Sequence, residues 1–272
     1  MAPAIPFDRR HLNGPFDIVG DVHGCLDELR ELLGLLGYHA DLSGRGCGRT
    51  ARLTGPPGRR LVFVGDFVDR GPATPDVLRL AIAGVASGVA LAVPGNHDDK
   101  LARWIAGRPV TIAHGLDTSI AQLDTEPLEF RAEVRTFVNE LPDYLWLDGG
   151  RLAIAHAGIR QKMLGTTSRR IRAFCLYGDT DGKTDADGLA IRYDWAAEHT
   201  GPTRIVYGHT PIPEAAWRHD TLCLDTGCVF GGALTALRWP EGEIVSVPAR
   251  AKYAERKKSF GHPLPRKARK PA

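Results

Sequence analysis

The feature that most constrains this 272-residue chain is a short apolar run that ends in two carboxylates and a guanidinium. Residues 61–64 are aliphatic or aromatic, which predicts a strand buried on both faces. Asp66, Asp69 and Arg70 follow it. Ligands of open α/β sheets bind at the carboxyl ends of strands, so these side chains lie where a functional site is expected. A surface salt bridge in a turn would explain one such loop by itself.

The same pattern of a short buried strand and a polar loop recurs along the chain. Leucines at three- and four-residue steps between residues 26 and 36 predict a helix after the first loop. Thr74 and Pro75 are typical of the start of another helix after the central strand. Such alternation predicts a parallel sheet with its site along one edge. The polar loops are residues 21–24, 65–71, 94–98, 156–158 and 208–211.

Six side chains from these loops form a candidate metal-ligand set of carboxylates, imidazoles and one amide. A set of this kind suits Mn first, with Fe, Zn, Co and Ni as alternatives. A single histidine at a strand end is more often structural, but six donors that each follow an apolar strand favour a shared site. Six donors exceed what one ion needs, so we predict two divalent ions bridged by the central Asp66. The predicted ligands are Asp21, His23, Asp66, Asn96, His156 and His209.

A pair of ions indicates the reaction. Two ions about 3.5 to 4 Å apart lower the pKa of a shared water and support in-line displacement at phosphorus. We therefore predict hydrolysis of a phosphoester by a hydroxide that bridges the ions. His97 is available to protonate the leaving oxygen, and Asp69 would hold its imidazole in the protonated form. Arg70 offers a bidentate fork to phosphate oxygens.

The composition indicates a soluble globular protein, with 43% hydrophobic and 25% charged residues. The five cysteines are odd in number and form no Cys-x-x-Cys pair, which argues against a disulfide framework. The sequence starts without a secretory signal, and no apolar run approaches the roughly 18 residues of a membrane span. We therefore expect a cytoplasmic protein without a membrane partner.

The last part of the chain differs in charge from the rest. Residues 250–272 hold nine Lys or Arg and one acidic residue, without a periodic apolar face. We therefore predict a catalytic domain over residues 1–249 and a basic, disordered tail over residues 250–272. At most a weak contact with nucleic acid is expected from this tail, and a purely solubilising role is the alternative.

The stretch after the third polar loop is predicted to be a helical insertion. Residues 99–105, 116–123 and 127–141 carry helical patterns, and we expect them to lie over the sheet edge and to influence the choice of substrate. Beyond Arg70, Arg169 and Arg172 are candidates for substrate binding. A solvated role for these two arginines is equally consistent with the sequence.

Taken in order, the polar loops resemble the signature of the calcineurin-like metallophosphoesterases, and the similarity covers about residues 16–248. The Asp-Arg-Gly of the second loop is similar to the phosphoprotein-phosphatase and diadenosine tetraphosphatase branch. Three further segments, residues 114–116, 176–180 and 224–232, are similar to the phosphatase domain of bacterial polynucleotide kinase-phosphatase. The loops are Gly20-Asp-Val-His-Gly24, Gly65-Asp-Phe-Val-Asp-Arg-Gly71, Gly95-Asn-His-Asp98, His156-Ala-Gly158 and Gly208-His209.

This resemblance implies a four-layer α/β/β/α sandwich, a subtype of the α/β class. It also implies a division of the ligands. Asp21, His23 and Asp66 would bind one ion, and Asp66, Asn96, His156 and His209 would bind the other. The same resemblance implies His97 as general acid, Asp69 as its partner and Arg70 as phosphate clamp. Asp98 stands where this branch usually has Glu.

Several functions share this machinery. Our first prediction is a metal-dependent phosphoesterase that acts on phosphomonoesters, including nucleic-acid termini or 2′,3′-cyclic phosphates. The alternatives are a serine/threonine phosphoprotein phosphatase and a dinucleoside tetraphosphate hydrolase. The substrate would accordingly be a phosphorylated small molecule, nucleic acid or protein. A non-catalytic nucleic-acid-binding module is an alternative of another class, and loss of a ligand or of His97 would favour it. Neither is lost.

Overall fold

Two five-stranded sheets form the centre of the computed structural model, which describes residues 7–44, 46–184 and 190–256. The strands of the first sheet are β2 (Phe16–Val19), β5 (Arg60–Phe63), β6 (Ala90–Ala92), β13 (Ala233–Trp239) and β14 (Glu243–Pro248). Their order is β14-β13-β2-β5-β6. Strands β2, β5 and β6 are parallel, as their apolar runs predict.

The second sheet also contains three parallel strands. Its members are β1 (Asp8–Arg9), β7 (Leu145–Leu147), β8 (Leu152–Ile154), β11 (Arg204–Tyr207) and β12 (Thr221–Cys223). Their order is β1-β7-β8-β11-β12, with β8, β11 and β12 parallel. Strands β7 and β8 form an antiparallel hairpin around Asp148 and two glycines with positive φ.

Helices cover the outer faces of the two sheets. They are α1 (Leu26–Leu35), α2 (Thr74–Ala86), α3 (Asn96–Ile105), α4 (Leu116–Leu123), α5 (Leu128–Glu140) and α6 (Arg169–Tyr177). The helices α3, α4 and α5 confirm the predicted helical stretch. Helix α3 packs against α4 and α5, and these two helices pack against α2. A hairpin of β3 (His39–Ser43) and β4 (Thr50–Thr54) packs against α2.

Three hydrophobic clusters define the layers. The first lies between α1, α2 and the outer face of the first sheet, and includes Leu29 and Phe63. The second lies between the sheets, where Val62 and Ile154 are fully buried. The third joins the second sheet to α6 through Phe174. Because each buried aliphatic side chain contributes about 2 kcal/mol, these clusters hold the four-layer α/β/β/α sandwich together.

The region after the His156 loop has more structure than its sequence indicates. Helix α6 begins at Arg169, where the Ser168 side chain accepts a hydrogen bond from the Ile171 N–H. Strands β9 (Asp179–Thr184) and β10 (Ala190–Tyr193) then pair as an antiparallel hairpin. Within the described residues, no helix has the length and apolar character that a membrane span requires.

The first residues of the predicted tail pack on the catalytic body. Tyr253 N–H and Ala254 N–H both donate to the Val229 carbonyl at 3.0 Å, and Tyr253 Oη donates to Glu28 at 2.8 Å. The ordered body therefore extends beyond residue 249, to at least Arg256. The rest of the predicted tail, residues 257–272, lies outside the described residues.

Candidate metal centre and active site

The polar loops meet where the parallel strands of both sheets end. Strands β2, β5 and β6 lead into Asp21, Asp66 and Asn96, while β8 and β11 lead into His156 and His209. Because the two sheets pack face to face, the ends of their parallel strands lie side by side. The six predicted ligands together are called the ligand cluster below. They are Asp21, His23, Asp66, Asn96, His156 and His209.

The backbone of these loops is unusual. Nine described non-glycine residues have positive φ, and five of them are predicted site residues. Left-handed backbone at such residues costs of order 1 to 3 kcal/mol each and is maintained only where the surrounding structure enforces it. The site is therefore built by the fold at some cost in stability. The five are His23, Asp66, Asp69, Arg70 and His209.

One half of the ligand cluster surrounds His156. Its Nε2 lies 3.0 Å from Asn96 Oδ1, 3.0 Å from His209 Nδ1 and 3.4 Å from Asp66 Oδ2. Its Nδ1 lies 3.0 Å from the Val64 carbonyl, which fixes the proton on Nδ1 and leaves a lone pair on Nε2. Burial lowers the pKa of His156 to about 3, so the ring is neutral.

The other half contains His23, whose Nε2 lies 3.5 Å from Asp66 Oδ2. Its Nδ1 lies 2.6 Å from the Val68 carbonyl, so Nε2 again faces the site as an acceptor. Asp66 is the residue that the two halves share, as the sequence predicts. The Asp21 Oδ2 atom accepts a hydrogen bond from the His209 N–H at 2.9 Å, and burial together with nearby Asp225 and Asp66 raises the pKa of Asp21.

The ligand cluster fits divalent cations. Ligand atoms that lie about 2.1 Å from one ion are roughly 3.0 to 3.5 Å from each other, which is the spacing around His156 Nε2. The lone pair of His156 Nε2 faces the oxygens of Asn96 and Asp66 there. Asp21 Oδ1 is also buried and has no hydrogen-bond partner among the described residues. Such unsatisfied acceptors are costly unless a cation binds between them.

Two glycines make this close approach of the loops feasible. A Cβ atom on Gly95 would overlap Asp66 Oδ1, and one on Gly208 would overlap Asp21 Oδ1. Any side chain at either position would push a carboxylate out of the ligand cluster. These glycines are therefore required by space at the site.

His97 lies beside the ligand cluster, and its Nδ1 side contacts Asp69. Its Nδ1 lies 2.5 Å from Asp69 Oδ2, and Ser119 Oγ of α4 donates to Asp69 Oδ1 at 2.7 Å. Burial raises the pKa of Asp69 to about 6, while the Ser119 hydroxyl and Arg70 act in the opposite direction. This chain of contacts fixes the orientation of the His97 ring and connects the helical stretch to the site.

Asp98 ties two site loops together. Its Oδ2 accepts from the N–H groups of Asp66 and Gly95, both at 2.8 Å, and its Oδ1 accepts from the Phe67 N–H at 2.9 Å. The side chain is completely buried, and burial raises its pKa to about 7. Three backbone donors to one carboxylate hold the Asp66 loop against the start of α3.

Arg70 points into the site. Its Nη1 lies 2.6 Å from His23 Nε2, and its Nη2 lies 2.9 Å from His97 Nε2. A nitrogen lone pair serves one partner, so binding of an ion by His23 Nε2 requires that Arg70 moves away from it. The guanidinium packs 5.2 Å from the centre of the Phe230 ring.

Three charged residues near the site were not among the predicted site residues. Asp225 is buried, and its charge helps raise the pKa of Asp21. Arg192 of β10 and His209 line the same small cavity. Arg256 packs on the ring of Phe230, 5.9 Å from its centre. Arg70, Arg192 and Arg256 are called the arginine rim below.

The sequence does not mark Arg192 or Arg256 as site residues. Arg192 follows the segment 185–189 and Arg256 stands in a run of basic residues, so both resemble solvated charges. Asp225 had a better signal, because it follows the short apolar strand β12 as the predicted ligands follow theirs.

The two further arginines predicted to bind substrate have other surroundings. The Arg172 guanidinium is paired with Asp99 at 2.7 Å and with Asp143 at 2.5 Å. These two carboxylates already neutralise it, so the geometry does not support a role in substrate binding. Arg169 is exposed in the first turn of α6, and its role stays a prediction.

Comparison with known proteins agrees with this arrangement. The family model for calcineurin-like phosphoesterases matches residues 14–238. A protein of Halalkalibacterium halodurans named asymmetrical bis(5′-nucleosyl)-tetraphosphatase is 46% identical over 239 residues, which cover 86% of this chain and 94% of that protein. A protein of the same name from Anoxybacillus flavithermus is 44% identical over 248 residues, with coverages of 89% and 97%.

A solved structure supports the fold. A serine/threonine phosphatase from Saccharomyces cerevisiae superposes with a TM-score of 0.60 at 12% identity, over 94% of this chain and 86% of that one. The fold and the ligand cluster together define a metal-dependent phosphoric ester hydrolase. The chain belongs to the calcineurin-like phosphoesterase family, whose members use divalent metal ions.

Proposed function

We propose that this chain hydrolyses dinucleoside tetraphosphates asymmetrically, to a nucleoside triphosphate and a nucleoside monophosphate. The observation that carries the proposal is the similarity to tetraphosphatases over 94 to 97% of their length, in a chain that keeps all six predicted ligands. The arginine rim supports it, because three guanidinium groups beside one ligand cluster suit a substrate with several phosphates. The choice of manganese and the cytoplasmic location stay predictions.

Two divalent ions would be held by the ligand cluster, with Asp66 between them. Bound ions of this kind lower the pKa of a water and neutralise charge on the phosphoryl oxygens. Neutral imidazoles and charged carboxylates are the forms that bind such ions. Burial lowers the pKa of His23 and of His156, which keeps both rings neutral.

His97 would act as the general acid. Burial and nearby Arg70 lower the pKa of His97, and its Nε2 faces Arg70, so the acid role requires that Arg70 turns to the phosphate and that Nε2 then carries a proton toward the leaving oxygen. Asp69 would hold the Nδ1 side of the ring. Arg70 would bind the non-bridging oxygens of the phosphate under attack, since it already reaches between His23 and His97. The proposal thus assigns His97 to the leaving oxygen and Arg70 to the phosphate under attack.

Phosphomonoesters are the second candidate class of substrate. The ligand cluster, His97 and Arg70 form a site for a single phosphate, which any phosphoester presents. Hydrolysis of an aryl phosphate would therefore be a side activity of the same site. Phosphoprotein and nucleic-acid termini stay predictions from the sequence.

A substrate panel tests the proposal. The purified protein, loaded with manganese, is assayed on diadenosine tetraphosphate, a phosphopeptide, a 2′,3′-cyclic nucleotide, RNA with a 3′-phosphate and p-nitrophenyl phosphate. We expect the highest kcat/KM on diadenosine tetraphosphate, with ATP and AMP as products in equal amounts by anion-exchange chromatography. A higher kcat/KM on any other substrate of the panel, absent in Asp66→Asn, would overturn the proposal.

A further inference from the structure

The segment that follows β14 is anchored beside the site. Glu28 of α1 is completely buried, and its Oε1 accepts both the Arg250 N–H at 2.9 Å and the Tyr253 hydroxyl at 2.8 Å. The Ala249 N–H donates to the Gly232 carbonyl at 2.8 Å. Residues 249–256, called the C-terminal segment here, are therefore held by a buried carboxylate and by backbone contacts.

The same loop carries both the anchor and the site. Residues 225–232 supply Asp225 to the site, and they also supply the Val229 carbonyl that accepts from the C-terminal segment. Phe230 of this loop forms a bridge with Lys252. The position of the C-terminal segment is thus coupled to the wall of the site.

Phe230 brings two guanidinium groups together. The Arg70 guanidinium lies 5.2 Å from the centre of its ring, and that of Arg256 lies 5.9 Å from the same centre. Burial lowers the pKa of Arg256 and nearby Arg70 lowers it further, while Asp225 opposes the change. Two cations beside one ring repel each other, and an anion with several charges relieves that repulsion.

We propose that Arg256, positioned by the C-terminal segment, binds phosphates of the substrate beyond the one that Arg70 contacts, and so makes the enzyme select polyphosphate chains over single phosphates. This inference rests on the proposed function for its natural substrate. On this proposal, a monophosphate ester contacts Arg70 and offers no second phosphate to Arg256. A tetraphosphate has further charged groups along its chain.

The test compares Arg256→Gln with a matched control, Lys252→Gln, which removes one positive charge from the same segment. Lys252 is half-exposed and pairs with Glu255. With Arg256→Gln we expect the KM for diadenosine tetraphosphate to rise about tenfold, as for loss of a charge-assisted hydrogen bond, with kcat within threefold. We expect kcat/KM for p-nitrophenyl phosphate to change less than twofold. Lys252→Gln should leave both substrates unchanged.

A second measurement separates this inference from the proposed function. Tripolyphosphate and inorganic phosphate are tested as inhibitors of p-nitrophenyl phosphate hydrolysis, with manganese in excess of both. Arg256→Gln should weaken inhibition by tripolyphosphate about tenfold and leave inhibition by phosphate unchanged. One outcome is that the wild type fails to cleave diadenosine tetraphosphate while Arg256→Gln still shows this selective loss of inhibition. In that case the proposed function fails and the role of Arg256 stands.

Two outcomes would overturn the role of Arg256. In the first, Arg256→Gln leaves both the tetraphosphate KM and the tripolyphosphate inhibition unchanged. In the second, Arg256→Gln weakens the binding of all substrates and inhibitors equally and lowers the Tm, which would make Arg256 a structural residue. Tyr253→Phe gives an independent check, because it removes the hydrogen bond to Glu28 and keeps the ring. Tyr253→Phe should raise the KM for diadenosine tetraphosphate by a smaller factor than Arg256→Gln does.

Discussion

The ligand cluster and the arginine rim differ in how the chain builds them. Each member of the ligand cluster follows a short buried strand, and packing of the two sheets brings the loops together. The arginine rim comes from three unlike places: a strand-end loop, the β9–β10 hairpin and the C-terminal segment. The core of the fold positions the ligand cluster, whereas peripheral elements position most of the arginine rim.

This difference teaches how chemistry and specificity are divided in the protein. In the proposed function, the ligand cluster would hold the ions at whatever phosphate is under attack, so its loss should affect every substrate alike. Within the arginine rim, Arg256 is proposed to bind phosphates beyond that one, so its loss should distinguish one substrate from another. Variants of the ligand cluster and of its supports therefore test one side of the comparison, and the Arg256 experiment tests the other.

The largest effect is expected for Asp66→Asn. Asp66 is shared by both halves of the ligand cluster, and loss of metal catalysis removes several kcal/mol of transition-state stabilisation. We expect kcat to fall at least about a thousandfold on diadenosine tetraphosphate and p-nitrophenyl phosphate alike. Metal bound per chain, measured by mass spectrometry after dialysis, should also fall.

The control for this variant is Asp220→Asn, at an exposed carboxylate paired with Arg204. It should leave both rates within twofold. Retention of more than a tenth of wild-type activity by Asp66→Asn, on either substrate, would break the proposed division between chemistry and specificity.

A large but conditional effect is expected for His97→Gln. General acids contribute typically 10²- to 10⁴-fold, and the contribution shrinks when the leaving group is already a good one. We expect a loss of about a hundredfold or more on phenyl phosphate and of less than tenfold on p-nitrophenyl phosphate. Equal losses on the two esters would show that His97 does not protonate the leaving oxygen.

A smaller effect, on stability, is expected for Asp98→Asn. The amide group replaces one acceptor oxygen by a donor, which then faces a backbone N–H. Loss of charge-assisted hydrogen bonds at a completely buried site should lower the free energy of unfolding by about 3 kcal/mol. Urea unfolding at pH 8 measures it. Asp117→Asn, at an exposed position of α4, should cost less than about 1 kcal/mol.

The smallest effect is expected for Ser119→Ala, and it is a shift in pH dependence. The Ser119 hydroxyl lowers the pKa of Asp69, which burial raises to about 6. Without it the pKa of Asp69 rises further, so Asp69 loses its charge at a higher pH. The acid limb of the kcat profile should therefore move to higher pH by roughly 0.5 to 1 unit, since a net hydrogen bond is worth about 1 kcal/mol.

At pH 8 the rate of Ser119→Ala should stay within threefold of wild type, because Asp69 is charged there in both proteins. Thr125→Ala, which removes a hydroxyl bonded to the Gln122 carbonyl just after α4, serves as control and should leave the profile in place. An acid limb that moves to lower pH would contradict the assigned contact between Ser119 and Asp69.

The sequence alone predicts some features of the site. The apolar runs before Asp66 and His156 predict short buried strands, and both are observed as β5 and β8. Strand ends share one edge of a parallel sheet, so the residues after them were expected to meet. Arg172 shows where such reasoning stops, because its two carboxylate partners lie 29 and 73 positions away along the chain.

By itself the sequence determined which donor groups follow the strands, because strand, loop and donor are neighbours along the chain and their order is local information. Only the tertiary structure decided that Ser119 supports Asp69, that Arg192 lies beside His209 and that Arg256 shares a ring with Arg70. These contacts join segments with no local pattern in common. They exist because the packing of helices, hairpin and C-terminal segment on the two sheets places them there.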